Sequence, residues 1–164
     1  MQVKLRKIEP SDLPFLYQWE NDASAWADGA NHNPLSQQDM RLYIESTTGD
    51  IYRDGQVRLI IESSSETVGC IDLFDFDPRN RRAAIGMYIA PQYREKGIGR
   101  EAVRLLEQYA FGFLQLRIIY AVISTHNIAC TALYRQAGYV PSSLLPSWTL
   151  EGDAVLWHKQ NPNI

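Results

Sequence analysis

Residues 83–112 read AAIGMYIAPQYREKGIGREAVRLLEQYAFG, and this stretch decides the fold. Residues 83–90 are mostly apolar and rich in strand-forming side chains, which predicts a β-strand. Pro91 ends that strand, because proline has no backbone N–H to give to a ladder. From about Gly99 to residue 113, apolar residues recur at the spacing of an amphipathic helix. The stretch therefore predicts a strand, a loop and a helix, in that order.

The loop between strand and helix combines glycines with basic residues, in the order REKGIGR at residues 94–100. Glycines just before a helix allow a tight turn and leave backbone N–H groups uncovered. The helix dipole adds partial positive charge at the same place, so the start of a helix binds anions readily. The pattern predicts a cradle for a phosphate or pyrophosphate group. The alternative is an ordinary glycine-containing turn with a solvated basic rim.

Composition limits the classes of protein to which the chain can belong. The chain has 164 residues, is 45% hydrophobic and carries a formal net charge of -3. These values predict one globular domain over residues 1–164, and they argue against a nucleic-acid binder, which usually has a basic excess. No apolar run of membrane-spanning length and no signal-peptide pattern is visible, so we expect a cytoplasmic protein without a membrane contact. Cys70 and Cys130 form no zinc-binding pattern, so we expect free thiols and no metal.

The rest of the chain alternates strand-like and helix-like segments. Alternating or apolar runs predict strands at about 3–8, 57–62, 67–76 and 117–124, one from residue 139, and a last hairpin over 148–158. Helical spacing and capping residues predict helices at about 12–19, 36–47, 99–113 and 127–138. Residues 141–146 lie between two prolines and are predicted as a loop. The order predicts one mixed α/β domain.

A second motif, HNIACTALYRQAGY, occupies residues 126–139. Asn127 is a good helix cap, and Gly138 is typical of a helix end. Tyr134 lies inside this helix, where a phenol can pack, donate a hydrogen bond or give up a proton. With nine tyrosines in the chain, packing is the favoured role on chemistry alone.

Together, the two motifs resemble the GNAT superfamily of acyl-CoA-dependent N-acetyltransferases. The residues that carry the resemblance are Arg94, Gly97 and Gly99, followed about thirty residues later by Asn127, Leu133-Tyr134 and Gly138-Tyr139. The opening segment from Leu5 to Asp22 is similar in particular to spermidine acetyltransferases and ribosomal-protein alanine acetyltransferases. The resemblance implies a mixed, mostly antiparallel sheet of six to seven strands with about four helices. It also implies that the sheet splays between the strands at 83–90 and 117–124.

The glycines also match part of a dinucleotide-binding fingerprint, Gly97-x-Gly99-x-x-Ala102. That fingerprint needs its glycines directly after the strand, whereas Pro91 and the residues up to Lys96 intervene here. It also needs an acidic residue at the end of the next strand, where this chain has Ser124-Thr125-His126. We therefore reject a dinucleotide site.

The resemblance implies acetyl-CoA as co-substrate and a direct attack of the amine on the thioester. It makes Tyr134 the general acid that protonates the leaving thiolate. The backbone of the central strand and Asn127 would hold the pantetheine arm, and the loop 94–100 would hold the pyrophosphate. The implied contacts with acetyl-CoA are Met87, Tyr88, Ile89, Arg94, Glu95, Lys96, Gly97, Ile98, Gly99, Arg100, Asn127 and Arg135.

The amine side is less well defined by the sequence. Ala84 stands where many GNAT enzymes carry a glutamate base. Asp72 and Asp75 are the nearest candidates for drawing in the amine or deprotonating it through water, with ordinary solvent-facing charges as an equally favoured alternative, and Glu20 is a further candidate for binding the amine. His32 and His126 could also act as bases, but a loop histidine with no catalytic part is the favoured interpretation of each. The paired glutamates typical of spermidine enzymes are missing at residues 31–34 (Asn-His-Asn-Pro).

Two classes of function follow. The first is an N-acetyltransferase that acts on a small primary amine, with a polyamine or diamine such as spermidine ahead of a protein N-terminus. The second is a non-catalytic acyl-CoA-binding module. The sequence leaves the oligomeric state open, with a homo-oligomer among the states that it allows.

Overall fold

The structure is a computed structural model, and it describes residues 1–23 and 33–164. Its strands are β1 (Val3–Lys7), β2 (Val57–Ser63), β3 (Glu66–Asp77), β4 (Arg82–Ile89), β5 (Ile118–Ser124), β6 (Val140–Thr149) and β7 (Gly152–Gln160). The α-helices within the described residues are α1 (Leu13–Glu20), α2 (Gln37–Ser46), α3 (Ile51–Asp54), α4 (Ile98–Glu107) and α5 (Ile128–Gln136). Short 3-10 turns lie at Pro10–Asp12 and Pro91–Tyr93, and a π-helical turn, Gln108–Phe113, extends α4.

The strands form one seven-stranded sheet in the order β1-β2-β3-β4-β5-β7-β6. Neighbouring strands are antiparallel except β4 and β5, which run parallel. The predicted mixed, mostly antiparallel sheet is therefore confirmed. The prediction of about four helices misses α3, a single turn that Asp50 caps through its side chain and Gly55 ends at φ 75°.

The sheet opens between its two parallel strands. β4 and β5 pair only at Arg82–Ala84 with Ile118–Tyr120. Beyond Ala84 both strands continue, β4 to Ile89 and β5 to Ser124, without further pairing to each other. Backbone groups that face the gap there have no ladder partner in the described chain, and they are available to a ligand. The predicted splay is confirmed, with strand boundaries that differ from the predicted ones by one residue.

Helices cover both faces of the sheet. Ile60 and Ile61 are neighbours on β2, so their side chains point to opposite faces. Ile61 belongs to a core that includes Leu106 of α4 and Tyr134 of α5, whereas Ile60 packs with Leu16 of α1 and Met40 of α2. The pair α4 and α5 therefore lies on one face, and the pair α1 and α2 lies on the other.

The predicted loop at residues 141–146 is wrong, because β6 runs without a break from Val140 to Thr149. β6 is the edge strand of the sheet, where a proline can lack its N–H without breaking a ladder bond on the outer side. Its pairing with β7 shifts between Pro141 and Ser143 and again between Leu145 and Thr149, so the strand absorbs its irregular sequence as bulges.

Two aromatic side chains near this edge have different environments. Trp157 on β7 is buried, and Trp148 on β6 is 62% exposed.

No helix within residues 1–23 and 33–164 is long and apolar enough to cross a membrane.

Candidate active site

The loop before α4 forms an anion cradle from its backbone. Gly97 caps α4 in the left-handed conformation at φ 81°, and Glu95 is also left-handed at φ 60°. Left-handed residues beside right-handed ones turn successive N–H groups towards one point, and α4 adds the free N–H groups of its first turn. The loop therefore suits a pyrophosphate, as the sequence predicts. Ile98 can contribute only its backbone to the cradle, because its side chain is buried in the core.

Gly99 allows the start of α4 to approach two neighbouring elements. A Cβ at this position would lie 3.0 Å from Cδ1 of Leu133 on α5 and 3.0 Å from Cε of Met87 on β4. Gly99 therefore leaves room for the ends of these two side chains, whereas Gly97 is favoured for its left-handed backbone conformation. The cradle, the splayed part of β4 and the helix of Tyr134 meet at this point.

The basic residues of the cradle loop rest on aromatic rings. Nε of Arg94 donates to the carbonyl of Ile89 at 2.8 Å, and its guanidinium lies 5.6 Å from the centre of the Tyr88 ring. Nζ of Lys96 lies 5.7 Å from the centre of the Tyr93 ring. Arg94, Lys96 and Arg100 are all exposed, so their charge is accessible to an anion at the cradle.

Tyr134 lies on α5, on the same side of the sheet as the cradle. Its side chain is only 3% exposed, and its ring packs edge-on against Tyr139 at 5.0 Å between ring centres. Burial raises the pKa of Tyr134 far above its ordinary value, with smaller contributions from Cys130 and Glu107. The phenol is therefore protonated at neutral pH, as a general acid must be.

The two other predicted contacts on this segment have partners of their own. The side-chain oxygen of Asn127 accepts from the N–H of Cys130 at 3.1 Å, so Asn127 is the predicted helix cap and keeps its amide nitrogen as a donor. The guanidinium of Arg135 lies 5.3 Å from the centre of the Trp157 ring. Asn127 thus fits a contact with the pantetheine, while Arg135 is exposed and packs on the Trp157 ring.

A buried polar cluster that the sequence does not predict lies behind Tyr134. Nζ of Lys159 donates to Glu107 at 2.8 Å and to the carbonyl of Ala137 at 2.7 Å. Burial, and then the nearby Glu107 carboxylate, raise the pKa of Tyr139. The cluster fixes the end of α5 against α4 and β7, and therefore the ring on which Tyr134 packs.

Two of the predicted amine-side carboxylates share one arginine. Asp72 accepts from Nε and Nη2 of Arg58 at 2.9 and 2.8 Å, and Glu20 accepts from Nη1 of the same guanidinium. The ring of Tyr43 lies 5.7 Å from the guanidinium. Glu20 and Asp72 are therefore both held by one guanidinium, and this group of three side chains keeps one net negative charge. Asp75 lies apart from them, at φ 49° in the β3 bulge, and accepts from the hydroxyl of Tyr120.

A further carboxylate meets β4 in its splayed part. The hydroxyl of Tyr88 donates to Asp22 at 2.7 Å, and its ring lies 5.6 Å from that of Trp19 on α1. Burial, and then the bond to Asp22, raise the pKa of Tyr88 to about 12. The two partners are 66 residues apart in the chain, and no local pattern in the sequence points to the contact.

The structure also gives the surroundings of the other positions that the sequence singled out. Ala84 is buried and is the last β4 residue paired with β5, so no carboxylate occupies this point. Nε2 of His126 lies 2.9 Å from the carbonyl of Glu151 and ties the β5–α5 turn to the β6–β7 turn. His32 lies outside the described residues. The described parts of the chain, on either side of residues 24–32, contain no cluster of side chains that could hold a metal ion.

A sheet splayed between two parallel strands, with an anion cradle on one helix and a buried phenol on the next, defines an acyl-CoA-dependent acyltransferase. The family model described as an acetyltransferase (GNAT) domain matches residues 2–140, and the chain belongs to this family. It is an N-acetyltransferase with acetyl-CoA as co-substrate, which supplies the thioester-activated acetyl group. The alternative of a non-catalytic module is set aside.

The relatives of this chain include spermidine and putative ribosomal N-acetyltransferases. Spermidine N(1)-acetyltransferase of Escherichia coli K12 is 28% identical over 154 residues, which cover 92% of this chain and 80% of that protein. A putative ribosomal N-acetyltransferase of Bacillus subtilis is 35% identical over 143 residues, covering 84% of this chain and 78% of that protein. In fold, the chain matches spermidine N-acetyltransferase from Vibrio cholerae, solved with CoA and spermine, at a TM-score of 0.84 and 23% identity over 98% of this chain and 96% of the other.

Proposed function

We propose that this enzyme transfers the acetyl group to a primary amine of a polyamine or diamine such as spermidine, with Tyr134 as the general acid. The observation that carries the choice of acceptor is a set of three side chains on the α1 and α2 face of β4, Asp22, Phe74 and Asp75, and we take this surface as the acceptor groove. Spermidine enzymes among the relatives support the same choice.

The groove places negative charge at its two ends. Tyr88 and Ala84 point to one face of β4 because they are an even number of residues apart. Asp22 is bound at Tyr88, and Asp75 is bound to Tyr120, the residue paired with Ala84. Four residues of strand place the backbones of Ala84 and Tyr88 about 13 Å apart. The two carboxylates are therefore bound at separate positions along the strand, and a chain of ammonium groups joined by methylenes can contact both.

An aromatic side chain lies between the carboxylates. A Cβ at Gly86 would lie 3.2 Å from Cε1 of Phe74, so this ring covers the strand between residues 84 and 88. Phe74 is exposed to an extent that is unusual for its size. An aromatic face attracts cations and packs on methylene groups, and both are present in a polyamine.

The groove and the acid lie on opposite faces of the sheet, which suits direct attack. Tyr134 and the cradle lie on the α4 and α5 face, and the groove lies on the α1 and α2 face. An amine that enters from the groove attacks one face of the thioester carbonyl in the gap between β4 and β5, and the thiolate leaves on the side of Tyr134. Tyr134, neutral and desolvated, then protonates the thiolate as the C–S bond breaks.

The proton of the attacking ammonium needs an acceptor, and Ala84 offers none. Asp72 is held by both of its oxygens in the bond to Arg58. Asp75, which accepts one hydrogen bond from Tyr120, keeps a free oxygen lone pair for a water or an ammonium group. We therefore assign the removal of the proton to Asp75, acting through water.

A second acceptor class is favoured by a different observation. An open and mainly apolar surface of the sheet lies beside Tyr120, lined by Arg82, Ile118, Tyr120, Leu156 and His158. Such an open surface suits an extended peptide, and therefore acetylation of a protein N-terminus. The ribosomal-type relative points the same way.

The acceptor is tested by measuring thiol release from acetyl-CoA with spermidine, a short diamine and an alanine-starting peptide. We expect kcat/KM for spermidine to exceed that for the peptide at least about tenfold, which is the factor that one well-made ionic contact contributes. A higher kcat/KM for the peptide would reject the polyamine assignment. A homo-oligomer and a cytoplasmic location stay predictions, and light scattering would test the first.

A further inference from the structure

Tyr88 contacts both halves of the site through different parts of its side chain. Its hydroxyl donates to Asp22, just after the end of α1, at 2.7 Å. Its ring supports the guanidinium of Arg94, which belongs to the cradle loop, at 5.6 Å. Arg94 is also fixed by its 2.8 Å bond to the carbonyl of Ile89, the next residue on β4. One side chain thus links the amine side to the pyrophosphate side across the splayed strand.

We propose that Tyr88 is a positioning residue that holds the Asp22 carboxylate for the acceptor amine and the Arg94 guanidinium for the cofactor. The proposal rests on the proposed function, because Asp22 is one end of the acceptor groove. It adds that acceptor recognition depends on a phenol hydroxyl that touches no reacting atom. It also separates the two tasks, the hydroxyl serving the amine and the ring serving the cofactor.

The physical basis is the strength of the bond between a phenol and a carboxylate. A hydrogen bond with a charged partner is short and strong, and partial burial strengthens it further. Asp22 follows α1, with its N–H bonded to the carbonyl of Trp19 at 3.2 Å. The bond from Tyr88 therefore fixes the end of α1 as well as the carboxylate. The cation of Arg94 over the same ring makes the hydroxyl a better donor.

Two substitutions separate the hydroxyl from the ring. Tyr88→Phe keeps the ring and the backbone groups of β4, so we expect the KM for the amine to rise about tenfold, with kcat and the Kd for CoA within about twofold. Tyr88→Leu removes the ring as well, and we expect the Kd for CoA, from titration calorimetry, to rise about threefold in addition. Tyr52→Phe is the matched control, because Tyr52 is 58% exposed and packs only its ring, on Phe76.

A double-mutant cycle distinguishes positioning from a general structural effect. If Tyr88 acts through the carboxylate, Asp22→Asn raises the KM for the amine, and adding Tyr88→Phe raises it no further. If the two residues act independently, the effects multiply. Multiplied effects, or a Tyr88→Phe enzyme with the same amine KM as Tyr52→Phe, would overturn the proposal.

Hydrogen exchange gives a test that needs no acceptor. Peptides covering residues 13–23 should exchange several-fold faster in Tyr88→Phe than in Tyr52→Phe, because the end of α1 loses its tie to β4. Equal exchange in the two variants would reject the positioning role, even in an enzyme that acetylates spermidine. Conversely, faster exchange with no turnover of any polyamine would reject the proposed acceptor and leave the role of Tyr88 in place.

Discussion

Replacing Tyr134 by phenylalanine removes one oxygen from a buried side chain, and the structure predicts the effect on stability and on activity. The hydroxyl has no hydrogen-bond partner among the described residues, and the ring keeps its edge-on contact with Tyr139 at 5.0 Å. The free energy of unfolding should therefore change by less than about 1 kcal/mol. A loss of activity in this variant then reports on chemistry and not on folding.

The expected loss follows from the role of a general acid. Such a group contributes at least about 100-fold to the rate, which is about 2.7 kcal/mol of the barrier. We expect kcat of Tyr134→Phe to fall by about this factor, while the Kd for CoA changes less than about threefold. In the wild type, burial raises the pKa of Tyr134, so ionisation of the phenol should cause no loss of kcat up to the ordinary tyrosine pKa of 10.0.

The assay is thiol release at saturating spermidine, with CoA binding followed by calorimetry. Tyr139→Phe is the control, because it removes a hydroxyl from the neighbouring buried ring without removing the acid, and we expect its kcat within about threefold of the wild type. A Tyr134→Phe enzyme with kcat near that of the wild type would refute the general-acid role. An equal fall in both variants would point to packing as the cause.

Three further predictions concern the framework of the site. Gly99→Val should clash with Leu133 and Met87, whose side-chain atoms lie 3.0 Å from a Cβ built at this position. We expect the free energy of unfolding in urea to fall by about 2 kcal/mol and the Kd for CoA to rise. An unchanged Kd would contradict the role of Gly99. Arg58→Met should remove the cation that Glu20 and Asp72 share while both carboxylates stay part-buried, so we expect the free energy of unfolding to fall by about 3 kcal/mol. A loss below about 1 kcal/mol would show that the cluster is not needed. Burial alone would raise the pKa of Asp12, but hydrogen bonds from Arg6 and the amide of Glu9 outweigh it and hold this pKa below 3.8. The stabilisation from Asp12 is therefore present above about pH 4 and is lost as the pH falls through the folded pKa. We expect the free energy of unfolding to fall less steeply on the acid side in Asp12→Asn than in the wild type. Equal slopes would show that Asp12 does not contribute to the acid dependence of stability.

The local structure of the proposed cofactor half could be predicted from sequence because its signals are local. Gly97 and Gly99 stand a few residues from the strand that they follow, and the structure shows a separate requirement for each. Asn127 and Tyr134 share one short helix, so its capping and periodicity place both. Such features depend on backbone rules that act within one or two turns.

The amine half could not be predicted, because its contacts join distant parts of the chain. Arg58 lies opposite Asp72 only in the observed register of β2 and β3, and a shift of one residue would separate them. The contact from Tyr88 to Asp22 depends on how α1 packs across β4. The prediction of a loop at residues 141–146 was wrong for another reason. A proline is tolerated in a strand at the edge of a sheet, and the sequence does not show that β6 lies at an edge.

The central claim is that a polyamine is acetylated on the groove side of the splayed sheet. The most direct measurement is a competition in one tube, in which the wild-type enzyme receives acetyl-CoA with equal concentrations of spermidine and an alanine-starting peptide. Mass spectrometry of the products gives the ratio of the two kcat/KM values without a separate calibration of the enzyme. We predict that acetylated spermidine exceeds acetylated peptide at least about tenfold. An excess of acetylated peptide would contradict the claim.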